Sequence, residues 1–148
     1  MARRSWTELF FLDEATALAA GHRPCFFCRR DDANRFRAAW QAGNGVGSVG
    51  ARDIDAVLHR ERLDGRAKRL HALPVPRQQL PDGAMLLDEA VSYLILRGRA
   101  LQWSPAGYRN VRKPRQEAML LTPPSTLHAL SAGYRPLLHQ SAIDLLRD

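Results

Sequence analysis

Val91-Ser92-Tyr93-Leu94-Ile95-Leu96 is a short run of β-branched, aromatic and apolar residues that stops at Arg97-Gly98 and is followed by Ala100-Leu101-Gln102-Trp103. Two strand-like runs joined by a Gly-containing turn are typical of an antiparallel β-hairpin. A helix over residues 84–96 is the alternative, because Leu87, Val91 and Leu94 also lie near helical spacing. We predict the hairpin, and a further short strand over residues 118–121.

Other segments combine a capping residue with apolar positions at helical spacing. They run from Asp13 to Ala20, from Asp31 or Asp32 through Trp40, from Asp53 to about Leu63, from Ser125 or Thr126 to Gly133, and from Ser141 to Leu146. Helices, then strands, then helices predict an α+β fold rather than a regular βαβ alternation. This fold begins with a small helical part that carries a zinc-knuckle-like turn, continues with a short antiparallel sheet and ends with helices.

The length of 148 residues suits a single domain. Within it we expect a first segment of residues 1–42, a Gly-rich linker over residues 43–52 and an α+β remainder over residues 53–148. The linker mixes glycines with small residues, and no Gly-Lys-Ser or Gly-Lys-Thr sequence closes it. It therefore has the composition of a flexible connection and not of a phosphate-binding loop.

The chain is strongly basic. Its 22 Lys and Arg residues against 15 Asp and Glu give a formal net charge of +7, and the sequence pI is about 10.4. A positive field of this size favours phosphate-bearing partners, and nucleic acid is the first candidate. All but two of the basic residues are Arg, which fits bidentate phosphate recognition and also fits Arg-biased codon usage.

The apolar segments do not indicate a secreted or membrane protein. The stretch after the N-terminal arginines stops at Asp13-Glu14, which is too early for a secretion signal. The longest uncharged run, residues 118–134, contains Pro123-Pro124 and His128 and lacks the unbroken apolar length of a spanning helix. We therefore expect a cytoplasmic protein with reduced thiols and no membrane partner.

The sharpest local motif is His22-Arg23-Pro24-Cys25-Phe26-Phe27-Cys28-Arg29-Arg30. Two cysteines at C-x-x-C spacing can occupy two neighbouring vertices of a zinc tetrahedron. The chain has no second cysteine pair, so the other ligands would be histidines, His22 among them, or carboxylates. Cys25 and Cys28 can also be core residues, or a redox pair activated by the neighbouring arginines.

Around this motif the sequence resembles the N-terminal metal-binding domain of the Ada family of DNA alkylation-repair and regulatory proteins. The likeness covers residues 10–30 and rests on an Ala-rich helix leading into Gly21-His22-Arg23-Pro24-Cys25 and Cys28-Arg29. It implies a small zinc module near DNA, with Cys25 and Cys28 as one pair of zinc ligands. The family's first cysteine pair, which includes the methyl-accepting nucleophile, has no counterpart before Cys25. Methyl transfer is therefore not implied.

The missing cysteine pair could come from two sources. The natural protein could start upstream of Met1 and carry the pair there, or two chains could form a homodimer in which each supplies one cysteine pair. The rest of the chain resembles an uncharacterised family of small bacterial proteins, and that resemblance implies no activity. The segments that carry it are Leu80-Pro81-Asp82-Gly83, Trp103-Ser104-Pro105-Ala106-Gly107-Tyr108 and Leu121-Thr122-Pro123-Pro124-Ser125.

One predicted helix carries candidate catalytic residues. Asp55 and His59 lie at i and i+4, where a carboxylate can orient an imidazole as a general base, and Glu61 lies close by. Beside Arg60 and Arg62, such a pair is more often a solvated ion pair. These residues define one alternative function, a metal-dependent phosphodiester hydrolase that uses His59 with Asp55 or Glu61. A non-catalytic protein-interaction module is a second alternative.

The leading hypothesis is a zinc-knuckle nucleic-acid-binding protein of Ada-like type, without methyl-transfer activity. Its metal ligands would be Cys25 and Cys28, with His22 as a further candidate. Five arginines are expected to face phosphate groups, around the knuckle and along the second helix. They are Arg23, Arg29, Arg30, Arg35 and Arg37.

Overall fold

The first described helix begins and ends at the residues that the sequence predicts. The computed structural model describes residues 11–110, 114, 115 and 117–147, and its helix α1 spans Glu14–Ala19. Asp13 is the N-cap, and its carboxylate accepts the Thr16 backbone N–H at 3.1 Å. The chain leaves the helix through Gly21 at φ +94°, a left-handed conformation that costs glycine little. Both predicted ends of this helix are thus confirmed.

Two longer helices follow and bury the predicted faces. Helix α2 spans Arg30–Asn44 and buries Ala33, Phe36 and Trp40. Helix α3 spans Ala51–Arg62 and buries Ile54 and Leu58. Since buried positions recur every three to four residues, each helix presents one apolar stripe to the core and a charged face to solvent.

The connection between these helices is shorter than the expected linker of residues 43–52. Gly43 and Asn44 belong to α2, and Ala51 and Arg52 belong to α3, so only residues 45–50 form a loop. Gly43 is a packing residue, because a Cβ atom placed on it would lie 2.1 Å from the carbonyl oxygen of His128. Its lack of a side chain lets two helices approach closely, a role that the composition of the segment does not reveal.

Four predicted N-caps are wrong. Helix α2 is capped by Arg29, and Asp31 and Asp32 lie inside its first turn. Helix α3 is capped by Gly50, and Asp53 lies inside the helix, where its carboxylate accepts the Gly50 N–H at 2.8 Å. Helix α4, Pro124–Ser131, starts before Ser125 and Thr126, both of which are buried within it. Helix α5, Gln140–Leu146, is capped by His139, whose ring accepts the Ser141 N–H at 3.1 Å. In each case the helix starts one to three residues before the expected capping residue.

The predicted hairpin is the centre of an antiparallel sheet, and the alternative helix over residues 84–96 is wrong. In this hairpin Tyr93 lies opposite Gln102 and Leu94 opposite Leu101. The sheet has the order β6-β5-β4-β3-β7, and a separate two-stranded hairpin, β1-β2, follows α3. The strands are β1 Leu63–Asp64, β2 Ala67–Lys68, β3 Met85–Asp88, β4 Val91–Leu96, β5 Arg99–Ser104, β6 Gly107–Arg109 and β7 Met119–Leu120, and a short 3₁₀ turn spans Arg77–Gln79.

Helices cover both faces of the five-stranded sheet. Because side chains alternate along a strand, Tyr93 and Ile95 point into one apolar cluster and Leu94 and Leu96 into another. The first cluster joins the sheet to α2, α3 and α4, and the second joins it to α5. Helix α1 contributes to both, with Leu18 in the first and Ala15 in the second. The chain is therefore an α+β protein with a mixed arrangement of helices around an antiparallel sheet.

Candidate metal and nucleic-acid site

The Cys25–Cys28 turn lies immediately before the N-terminus of α2. The backbone N–H groups of Phe27 and Cys28 both point to the Cys25 sulfur, at 3.4 Å each, and the Arg29 N–H donates to the Cys25 carbonyl at 2.9 Å. Cys25 is half-buried and Cys28 is exposed. The turn can thus present two sulfurs to a metal ion at the surface.

A complete zinc site needs four donors, and the described part of the chain supplies one half of it. Across residues 11–110, 114, 115 and 117–147 there is no group of three or more His, Cys, Asp or Glu side chains placed to hold a metal ion. His22 does not join the two cysteines as a third ligand in this arrangement. Its ring packs edge-on against Phe11, with ring centroids 5.1 Å apart. The donor chemistry of Cys25 and Cys28 fits zinc, and the remaining two positions have to come from elsewhere.

A cavity of about 440 Å³ opens beside Cys25 and brings together residues that the sequence suggested for separate roles. His22 and Cys25 line it from the knuckle, and Asp55 and His59 line it from α3. Burial, and then the charge of Arg62, lower the pKa of His22 below its ordinary value, so this imidazole is neutral at physiological pH. The knuckle and the histidine-bearing helix therefore line one cavity.

Arg62 is the cavity residue that the sequence did not single out. Its aliphatic stem lies against Gly21, where an added Cβ atom would come within 2.5 Å of the Arg62 Cδ. Its Nε is buried and has no hydrogen-bond partner among the described residues. The position of Arg62 three residues after His59 on the same helix was a signal that could have identified it, since residues at i and i+3 lie on one helical face.

The three candidate catalytic residues are not assembled into a general-base site. Both oxygens of Asp55 accept from Arg23, at 2.7 and 2.9 Å. Glu61 accepts from the backbone N–H and the hydroxyl of Ser125, at 3.1 and 2.7 Å, and so ties α3 to the start of α4. His59 is exposed at the cavity. The carboxylates that could orient His59 are thus engaged with other groups.

Four of the five arginines expected to face phosphate have partners within the protein. Arg29 donates to Glu14 at 2.7 Å and to Asp32 at 2.6 Å, Asp32 also pairs with Arg35, and Arg23 is held by Asp55 as described above. Burial opposes the charged form of Arg29, but its hydrogen bond to Glu14 and the charge of that carboxylate raise the Arg29 pKa. Arg29 is therefore a structural residue.

Arg37 and Arg30 are placed differently from the other three. Arg37 donates to the Asn34 side chain at 3.0 Å and lies 5.1 Å from the centroid of the Phe26 ring. Arg30 is exposed, and within the described residues its side chain enters no ion pair. These two guanidinium groups keep their charge uncompensated by a carboxylate, because neither pairs with Asp or Glu in the described part of the chain.

The two phenylalanines between the cysteines have opposite surroundings. Phe26 lies between the guanidinium groups of Arg23 and Arg37, each 5.1 Å from its ring centroid. Phe27 is 94% exposed at the tip of the turn, the most exposed of the large hydrophobic side chains in the described residues. An aromatic ring this exposed is the most unusual surface feature of the knuckle, and the sequence analysis did not single it out.

Comparisons of this chain with protein-family models, with curated proteins and with solved structures give no match. The site is therefore interpreted from its own geometry. Within the described residues, none of the helices has the length and apolar character needed to cross a membrane.

Proposed function

We propose that this protein binds single-stranded nucleic acid through the Cys25–Cys28 turn, with Phe27 stacking on an unpaired base. The observation that carries the proposal is the exposure of Phe27, 94% in water at the tip of a turn fixed by two N–H···S hydrogen bonds. Exposing an aromatic ring is unfavourable in water, and a base offers it a flat apolar face.

Charge around the turn supports the same partner. Arg30 and Arg37 keep uncompensated guanidinium groups near the tip, and the whole chain carries a net charge of +7. Phosphate groups beside a stacked base would lie within reach of these arginines. A partner protein with an apolar pocket could also cover Phe27, but it would not require the surrounding positive charge.

Zinc is proposed to hold the turn. Cys25 and Cys28 would supply two thiolates, and a second copy of the chain would supply the other two, because no third donor in the described residues converges with them. The resemblance to the Ada-family zinc domain supports this donor pair and a role near DNA, without methyl transfer. Reduced thiols are required, which fits a cytoplasmic location.

Replacing Phe27 with alanine is expected to weaken binding of a short, labelled oligothymidine about tenfold or more, since one base–aromatic stack contributes ~1–3 kcal/mol. Fluorescence anisotropy at low salt measures the affinity, and repeating it at higher salt separates phosphate contacts from stacking. Leu137→Ala is the matched control, because Leu137 is also exposed, at 66%, but is not part of the Cys25–Cys28 turn. Equal affinity in Phe27→Ala and Leu137→Ala would rule out stacking by Phe27.

The zinc proposal predicts about one zinc for every two chains in the purified protein, carried by a dimer, and loss of both the metal and the dimer in Cys28→Ser. Elemental mass spectrometry and light scattering measure these quantities together. His59→Ala is the control that keeps both cysteines. Loss of zinc in His59→Ala, or one zinc on a monomer, would show a site completed within one chain. A metal-free protein would contradict the proposed zinc site altogether.

A further inference from the structure

A second cavity, of about 270 Å³, lies beside the C-terminal end of α1. Most of its lining is apolar, with Met85 from β3, Leu121 just after β7, Ala19 from α1 and the indole of Trp103. Lys68, from strand β2, is the charged residue in this lining, and Ser92 adds a neutral hydroxyl. This combination of an apolar wall and one charged group is typical of sites that bind small organic molecules.

The ammonium group of Lys68 is held at the cavity by one hydrogen bond. Its Nζ donates to the Ala19 carbonyl at 2.7 Å, at the end of α1. An ammonium group has three donors, so two are left to point elsewhere. Lys68 is half-buried, and within the described residues it forms no ion pair with a carboxylate. The side chain is therefore a fixed, partly desolvated cation without a counter-ion.

The neighbouring charge has the same sign. Burial, and then the positive charge of Arg62, lower the pKa of Lys68 to about 8, so the group is still mostly protonated at neutral pH. Trp103, on the same lining, has a buried indole N–H that meets no acceptor in the described residues. The cavity thus carries a positive charge, and the acceptor that Lys68 meets among the described residues is a neutral carbonyl.

We propose that this cavity binds a small carboxylate with an apolar body, the carboxylate pairing with the Lys68 ammonium and the body contacting Met85, Leu121 and Trp103. A carboxylate supplies the missing negative charge, and its pairing gains strength because the cation is already partly withdrawn from water. A molecule of about ten non-hydrogen atoms suits a cavity at the small end of the range for ligand sites. The proposal is independent of nucleic-acid binding at the knuckle.

Phenylacetate and its neutral analogue phenylacetamide are suitable probes, because they share the ring and differ in charge. Isothermal titration calorimetry on the full chain is expected to show phenylacetate binding at least tenfold more tightly than phenylacetamide. In Lys68→Met, which keeps a stem of similar size and removes the ammonium group, the affinity for phenylacetate should fall about tenfold and that for phenylacetamide should stay unchanged. Retained phenylacetamide binding shows that the variant is folded and that its cavity is intact.

Arg66→Met is the matched control, since Arg66 is an exposed basic residue on the same hairpin and does not line the cavity. It should leave both affinities unchanged. Equal binding of the two probes to the native protein, an equal loss in Arg66→Met and Lys68→Met, or no binding of either probe would each overturn the proposal. Because the readout is small-molecule affinity, none of these outcomes depends on Phe27 or on zinc.

Discussion

Gly43→Ala will destabilise the protein by about 3 kcal/mol, although alanine is the better helix former by ~1 kcal/mol in an exposed helix interior. A Cβ atom at this position would lie 2.1 Å from the His128 carbonyl oxygen and 2.5 Å from its carbon. Backbone atoms cannot rotate aside, so α2 and α4 would have to separate. Separation would also strain the bond that the Asn44 amide N–H donates to the Ser125 carbonyl, at 3.0 Å, and the bond that the Asn44 side-chain oxygen accepts from the His128 ring, at 2.8 Å.

Chemical unfolding in urea, monitored by circular dichroism, measures this loss. Gly47→Ala is the control, because nothing lies within 4 Å of a Cβ atom there and the backbone is not left-handed. That change should leave the free energy of unfolding the same or raise it by up to ~1 kcal/mol, since alanine restricts the unfolded chain. A neutral or stabilising effect of Gly43→Ala would show that the two helices do not pack this closely.

Glu14→Ala is expected to lower the free energy of unfolding by about 3–5 kcal/mol, because it leaves two donors without their acceptor, at ~1–3 kcal/mol each, and takes one carboxylate from Arg29. The Glu14 side chain is 5% exposed and accepts three hydrogen bonds. They come from Arg29 at 2.7 Å, from the Tyr134 hydroxyl at 2.8 Å and from the Leu137 N–H at 2.8 Å. Burial, and then the bond to Glu14, raise the pKa of Tyr134, which keeps its hydroxyl protonated as a donor.

Asp55→Ala provides the comparison. It breaks the ion pair with Arg23, whose N···O distance is similar to that of the Arg29–Glu14 pair. Because the Asp55 side chain is 52% exposed, the expected loss in the free energy of unfolding is below ~1 kcal/mol. Glu14→Gln should fall between the two, because an amide keeps the shape and an acceptor but not the charge. If urea unfolding gave similar losses for Glu14→Ala and Asp55→Ala, Glu14 would not act as the buried centre of this network.

Features set by neighbouring residues could be predicted from the sequence. The hairpin of β4 and β5 and the Asp13 cap of α1 depend on residues within a few positions of one another, and both are confirmed. The N-caps of α3, α4 and α5 were misplaced because tertiary contacts compete with local capping preferences. Ser125, for example, is held by Glu61, 64 residues away in the sequence.

Only the spacing of the two cysteines in the candidate site was predictable from the sequence. Spacing identified Cys25 and Cys28, and the structure adds the N–H···S bonds and the exposure of Phe27. Arg29 shows why a list of arginines is not a binding surface. Its partner Glu14 lies 15 residues away, in another helix, and no local pattern predicts the pair. Which charges stay available to a ligand depends on such distant pairings.

The close fit between α2 and α4 has a consequence for synthesis on the ribosome. The Asn44 side chain donates to the carbonyl of Ser125, 81 residues later, and the centroids of the Phe36 and Tyr134 rings lie 5.2 Å apart. At translation rates of ~5–20 residues per second, roughly 4–16 s pass between the synthesis of α2 and the synthesis of α4, which packs on its apolar face. During that interval the nascent chain offers Phe36 and Trp40 to chaperones, and a fragment ending before α4 keeps them uncovered.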